Sequence, residues 1–226
     1  MSITCNETCL METMPRKKVL IEGPVEASDL TKFHLNQNLN NFRPPENQKE
    51  ALINISQLPE GMVYVTRHNS EIIGYITFHF PDRFSRWSKH PQILELGAIE
   101  VCPDWRRHKI GTLLLKKAFS NPVMEEFIVV TTEFYWHWDL ERNKLGVFNY
   151  QRMLSKFFGK VGLDKRNTDD PDITEHPANV LMVRIGKKTR RKDVMLFENM
   201  LFEKPKNVRA EYIYPLRVSG MHEPQV

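Results

Sequence analysis

Cysteine is scarce in this chain. Three in 226 residues, at Cys5, Cys9 and Cys102, are odd in number and cannot form a disulfide framework. Cys5-x-x-x-Cys9 has no second ligand pair nearby, so no metal site is expected, and a reducing cytoplasmic setting fits best. Long apolar runs are also missing. No stretch approaches the roughly eighteen residues of a membrane span, and Met1 to Met14 lacks the continuous hydrophobic core of a secretory signal. Charge of one sign is weak, with 32 basic against 28 acidic side chains and a net charge of +4. The main basic cluster, Lys187-Lys188-Thr189-Arg190-Arg191-Lys192, is short and holds no aromatic residue. A nucleic-acid partner is therefore not expected.

What remains is a chain with 41% hydrophobic residues, enough for a sizeable core. Strand and helix patterns interleave without any repeat. Strands are expected at Lys18–Val25, Gly61–His68, Ile72–Phe80, Ile93–Val101, Phe127–Glu133, Asn179–Ile185 and Arg209–Leu216. Asn69-Ser70 joins the second and third as a hairpin. Helices are expected from Ser28 toward Asn36, from Pro44 to Gln57, Lys109–Phe119, Val147–Phe158 and Val194–Leu201, and a polar loop over Asp164–Pro177. Long hairpins plus one strand–helix unit predict an α/β (α+β) fold: a mixed, mostly antiparallel sheet covered by helices on both faces. One domain over 16–226 is expected, with 1–15 as a loose tail.

The junction between strand Ile93–Val101 and helix Lys109–Phe119 carries the most information. Pro103-Asp104 ends the strand, and Arg106, Arg107, His108 and Lys109 precede the helix. A helix start already carries partial positive charge and unpaired amides, so adding cations there builds a site for a large anion such as a pyrophosphate. The competing reading of this charge run is a solvated basic turn.

Val101-x-Pro103-x-x-Arg106-x-x-Lys109-x-Gly111 resembles the acetyl-CoA signature of the GNAT N-acetyltransferases, with Lys109 where the family has its first glycine. Further blocks extend the resemblance to the acetoin-utilisation branch of that family in bacilli. They include Ile21-Glu22-Gly23-Pro24-Val25, Phe42-Arg43-Pro44-Pro45, Glu95-Leu96-Gly97-Ala98-Ile99-Glu100-Val101, Tyr135-Trp136-His137-Trp138-Asp139 and His176-Pro177-Ala178-Asn179. The resemblance implies a GNAT fold and acetyl-CoA as cosubstrate. It implies cofactor contacts at Ile99, Val101, Arg106, Arg107, His108, Lys109, Ile110, Gly111 and Thr112. Its implied acceptor is a lysine of acetyl-CoA synthetase, which acetylation switches off. A small-amine acetyltransferase, or a non-catalytic module that inhibits the synthetase by docking, are the alternatives. Oligomeric state, homo-oligomer included, stays open.

An attacking lysine has an ordinary pKa of about 10.4 and needs a base at neutral pH. Glu95 and Glu100 are the candidates, both on strand Ile93–Val101. Glu95 precedes Arg106 by the eleven positions at which histone-type members of the family carry their base. In an unbroken strand the two glutamates face opposite sides, and a β-bulge between them would bring both to one face. Glu133 and a His137–Asp139 relay are further candidates. The family's usual tyrosine acid is replaced by Phe158, leaving Tyr150 two turns earlier or no acid at all. Arg43 reads as a structural fastener, and Cys102 as incidental to the chemistry. The acidic stretch from Thr168 to Glu175 either docks a basic surface around the target lysine or is solvated.

Overall fold

The computed structural model describes residues 9–12 and 18–203; the expected strand Arg209–Leu216 lies outside them. The strands are β1 (Cys9–Glu12), β2 (Lys18–Glu22), β3 (His34–Leu35), β4 (Met62–His68), β5 (Glu71–His79), β6 (Ile93–Val101), β7 (Ile128–Glu133), β8 (Asp164–Arg166) and β9 (Val180–Ile185). The helices are α1 (Ala27–Leu30), α2 (Pro45–Ser56), α3 (Ile110–Phe119), α4 (Leu140–Asn143), α5 (Val147–Phe158), α6 (Pro171–Thr174) and α7 (Arg191–Met200). None of the described helices is long and apolar enough to cross a membrane.

The strands form one mixed sheet in the order β1-β2-β4-β5-β6-β7-β9-β8, with β3 pairing parallel to β5. β6 and β7 are the other parallel pair, and α3 supplies the crossover they need. β5 is buried without a break from Ile72 to Phe78, because helices cover both faces of the sheet. On one face Leu114, Leu115 and Ala118 of α3, with Phe158 of α5, pack on Ile76, Phe78, Leu96 and Met182. On the other, Leu30, Leu39 and Leu52 from the α1–α2 region cover Val63, Val65, Ile73 and Tyr75. Each large apolar side chain so buried contributes about 1.5–3 kcal/mol.

Several expected elements change under tertiary contacts. α1 stops at Leu30 rather than running toward Asn36, because His34 and Asn36 donate their N–H groups to Ser70 and Ile72 carbonyls and add β3 to the sheet. One helical turn cannot outcompete that pairing. The polar loop Asp164–Pro177 contains β8 and α6, and α7 begins three residues before the expected Val194. Within residues 1–15, expected as a loose tail, Cys9–Glu12 pair with β2 as an edge strand. The Asn69-Ser70 hairpin forms as expected, with Asn69 in the left-handed conformation its turn demands (φ 56°).

Two irregularities in β6 shape the site. Thr77 pairs with Ala98 and Phe78 with Leu96, so Gly97 is an extra, bulged residue. Tyr75 opposes Glu100 and His79 opposes Glu95, which puts both glutamates on one face of the strand. A Cβ on Gly97 would lie 2.3 Å from His79 Nε2, so a side chain there would displace the imidazole. β6 and β7, moreover, pair only from Ile93 to Glu95 and from Ile128 to Val130. Beyond that point they part, leaving a wedge-shaped gap through the sheet.

Candidate active site

A cleft of about 420 Å³ runs from the start of α3 along the end of β6 to α5. Every residue expected to meet the cofactor lines it except His108. The bridge of backbone that ends β6 turns into α3 through two residues with positive φ, Arg107 (67°) and Lys109 (60°). For side chains with a Cβ this conformation costs roughly 1–2 kcal/mol each. Lys109 therefore adopts the backbone conformation for which glycine is the usual choice, and keeps its ammonium at the cleft. Lys109 O accepts the first helical bond, from Leu113 N–H at 3.0 Å. The N–H groups of Ile110, Gly111 and Thr112 precede it and have no carbonyl within the helix.

Gly111 meets little of the protein itself. An added Cβ would make only ordinary contacts, 3.5 Å to Val101 and 3.6 Å to Phe157. Internal packing does not require the glycine, which lines the cleft. Lys160 adds a cation that no sequence pattern pointed to, its ammonium donating to Thr112 Oγ1 at 3.0 Å. Bare amides, the helix dipole and the cations Arg107, Lys109 and Lys160 fit a pyrophosphate. Arg106 contributes differently. Its guanidinium donates to Val101 O (3.1 Å) and to Asp139 Oδ2 (2.7 Å), tying the segment after β7 to the end of β6.

Where β6 and β7 part, a second cavity of about 90 Å³ opens. It shares Asn41, Ile99, Tyr150 and Leu154 with the cleft, so those four residues mark the passage between the two. Tyr150 stacks on Trp138 with ring centroids 5.3 Å apart. Burial pushes its hydroxyl pKa up, so it holds its proton at neutral pH. Phe158, at the position of the family's acid, is fully buried in the core.

Three glutamates lie on β6 and β7 near this passage, and burial raises the pKa of all three. They are not equivalent. Glu100 lines the cleft, but its oxygens are taken: Tyr75 Oη donates at 2.8 Å and Asn41 N–H at 3.0 Å. Those bonds hold the Asn40-Asn41 loop over the sheet, and the sequence-stretch Asn36–Asn41, rich in asparagine, was the available sign of it. Glu95 lines neither cavity; it sits at the vertex where the strands part and accepts one long bond, from Thr132 Oγ1 at 3.5 Å. His79, directly opposite, draws its pKa back down. Glu133 lines the smaller cavity, accepting from Thr131 Oγ1 (3.0 Å) and Trp138 Nε1 (3.3 Å).

Other expectations change here. A His137–Asp139 relay is not formed, because the Asp139 carboxylate pairs with Arg106 and lies 4.0 Å from Arg142. His137 instead packs against Phe42, Phe134 and Trp136, and burial lowers its pKa. Arg43 is exposed, and its charge opposes the rise of the Tyr75 pKa. In the acidic stretch, Asp169 pairs with Arg86, and the buried Asp170 caps α6 by accepting from Asp172 N–H at 3.2 Å. Asp169 stays exposed in its pair, whereas Asp170 is buried. Cys102 is fully buried and donates to Asn36 Oδ1.

Residues 32–128 match the Acetyltransferase (GNAT) family. The chain is 43% identical over 186 residues to the acetoin utilization protein AcuA of Bacillus licheniformis, covering 81% of this chain and 89% of that one. The same identity and coverage hold for AcuA of Bacillus subtilis. A crystal structure of an acetoin utilization protein from Exiguobacterium sibiricum superposes with a TM-score of 0.85 at 41% identity, covering 89% of this chain and 96% of that one. With the anion cradle at the start of α3 and the strand divergence in place, the chain belongs to the GNAT acetyltransferase family, which uses acetyl-CoA.

Proposed function

We propose that this protein transfers acetyl from acetyl-CoA to a lysine of acetyl-CoA synthetase and thereby switches that enzyme off. The observation that carries the reading is the pair of adjoining cavities that runs from the cradle at Arg107–Thr112, past Asn41 and Tyr150, to the gap where β6 and β7 part, with Glu95 at the vertex of that gap. The choice of the synthetase rests on the resemblance to acetyltransferases of acetoin utilisation. Residues 134–147 give Asp139 and Asn143 to the cleft and Phe134, His137 and Trp138 to the smaller cavity, and we take this segment as a contact for a folded partner.

In this reading the amides of Ile110, Gly111 and Thr112, with Lys109 and Lys160, hold the pyrophosphate of acetyl-CoA. The thioester arm lies along Ile99–Val101. The lysine ammonium gives a proton to Glu95 across water, since Glu95 lines neither cavity, and its nitrogen attacks the thioester carbonyl. The C–N bond forms, the C–S bond breaks, the departing thiolate takes a proton from Tyr150, and the second proton on the acylated nitrogen is released to solvent and restores the Tyr150 hydroxyl. We assign the base to Glu95 rather than Glu100 because Glu95 keeps free acceptor capacity, whereas Glu100 is occupied in anchoring the Asn41 loop. No covalent acetyl-enzyme is needed; fixing both reactants by position supplies the advantage of a unimolecular reaction.

Incubation with acetyl-CoA and intact synthetase, followed by mass spectrometry, tests this. Acetylation at a defined lysine, in proportion to lost synthetase activity, is the expected result. Tight binding and inhibition without acetyl transfer would establish a docking module instead. Equal rates on polyamines would make this a small-amine transferase.

A further inference from the structure

Arg106 lies in the stretch that resembles the cofactor signature, yet its guanidinium is not offered to the cradle. Its Nε donates to Val101 O at 3.1 Å and its Nη1 to Asp139 Oδ2 at 2.7 Å. The Asp139 side chain is only 11% exposed, so solvent does little to screen its charge. Arg142, half exposed and 4.0 Å away, is the weaker second cation. Asp139 follows Trp138, whose ring stacks on Tyr150 at 5.3 Å, and Arg106, Asp139 and Tyr150 all line the cleft. The Tyr150 phenol therefore stands beside this ion pair. Asp139 and Glu133 of β7 oppose a phenolate there, whereas Arg106 and the Asp139 backbone N–H favour one. Glu100, Arg107 and Lys109 line the same cleft. An unpaired Asp139 would set a bare negative charge against Tyr150 as the phenol gives up its proton, and the guanidinium cancels that charge.

We propose that Arg106 is a positioning residue for proton transfer: by pairing with Asp139 it holds the Trp138-Asp139 segment on Tyr150 and keeps an uncompensated anion away from the hydroxyl that protonates the departing thiolate. The proposal rests on the acetyl-transfer reading, which makes Tyr150 the donor. It adds no step to the reaction. The Tyr150 O–H bond breaks, the S–H bond forms, and the phenolate so made faces a neutralised pair instead of a bare carboxylate. The phosphates are left to the backbone amides of the cradle with Lys109 and Lys160, so the Arg106 guanidinium stays on Asp139.

Fluorotyrosine incorporated into the full-length protein gives a ¹⁹F resonance that follows phenol ionisation, and Tyr150→Phe identifies the Tyr150 signal. Arg106→Gln should move the Tyr150 titration up by about one pH unit, because the phenolate loses a cation and meets a bare carboxylate. Asp139→Asn should move it down. With acetyl-CoA and intact synthetase, Arg106→Gln should lower kcat about tenfold, while acetyl-CoA affinity by calorimetry changes by less than about threefold. Adding Asp139→Asn to Arg106→Gln should restore most of the lost rate, since a neutral pair leaves no charge to compensate. A simple structural fastener would make the double variant as slow as the single one, or slower. Unmoved titrations in both single variants, or a double variant no faster than Arg106→Gln, would overturn the proposal. Failure of the underlying reading is told apart by its own signs: an unchanged kcat in Tyr150→Phe removes the donor, and no transfer by the wild type removes the reaction. Either would overturn the proposal even with the titrations shifted as expected.

Discussion

Lys109→Gly separates two roles that one residue plays at the start of α3. In the absence of ligand, its left-handed backbone (φ 60°) costs roughly 1–2 kcal/mol relative to glycine. Glycine returns about 0.5–1 kcal/mol of that through its larger unfolded-state entropy. The variant should therefore be more stable by roughly 0.5–1 kcal/mol, a rise of about 1–4 °C in Tm for a chain of this size. Acetyl-CoA binding should move the other way. Lys109 is exposed and lines the cleft, so its ammonium meets phosphate in high dielectric, where a pair at contact distance contributes about 1 kcal/mol. Its loss should weaken acetyl-CoA about fivefold at low salt, and the difference should shrink as salt rises. Thermal unfolding of the ligand-free protein and calorimetric titration at two salt concentrations measure both effects. Tighter binding by the glycine variant would refute the charge assignment and show that close backbone approach governs phosphate binding here. Lower stability would refute the strain assignment.

Gly111→Glu should abolish acetyl-CoA binding in a folded protein, because the added carboxylate fills the open side of the cradle and repels the phosphates; near-normal affinity by calorimetry would place the anion site elsewhere. Glu95→Gln should lower kcat about 10²-fold or more, while Glu100→Gln should act mainly on stability through the Asn41 loop; the reverse ranking would exchange their roles. Since burial raises the Glu95 pKa, wild-type kcat/KM should climb with pH through a value above the ordinary carboxylate range. In Glu95→Gln that limb should vanish, leaving the climb set by the lysine itself at about pH 10.4. Tyr150→Phe keeps the stack on Trp138 and should cut kcat about 10²-fold with acetyl-CoA affinity unchanged; an unchanged kcat would mean that the thiolate leaves unassisted.

The sequence by itself determined the strand–turn–helix unit and the free amides and cations gathered at its turn. Those properties are local: apolar periodicity sets Ile93–Val101 and Lys109–Phe119, Pro103 separates them, and a helix start carries its free amides and dipole wherever it lies. The hairpin at Asn69 is local in the same way, and so is the absence of a hydroxyl at Phe158. Whether Glu95 and Glu100 share a face was a question the sequence could pose but not answer. A bulge depends on how two strands register, and Gly97 was squeezed out only by the pairing of β6 with β5. Tertiary structure also decided where β6 and β7 part, which opened the second cavity and brought Glu133 beneath an aromatic rim. It spent Asp139 on Arg106 rather than on His137, and paired Asp169 with Arg86 across 83 positions. It carried Lys160 across 48 positions to Thr112 and the Asn41 loop across 59 to Glu100. Contacts between segments that far apart leave no period in the sequence, because they are fixed by the packing of whole elements rather than by the spacing of residues within one.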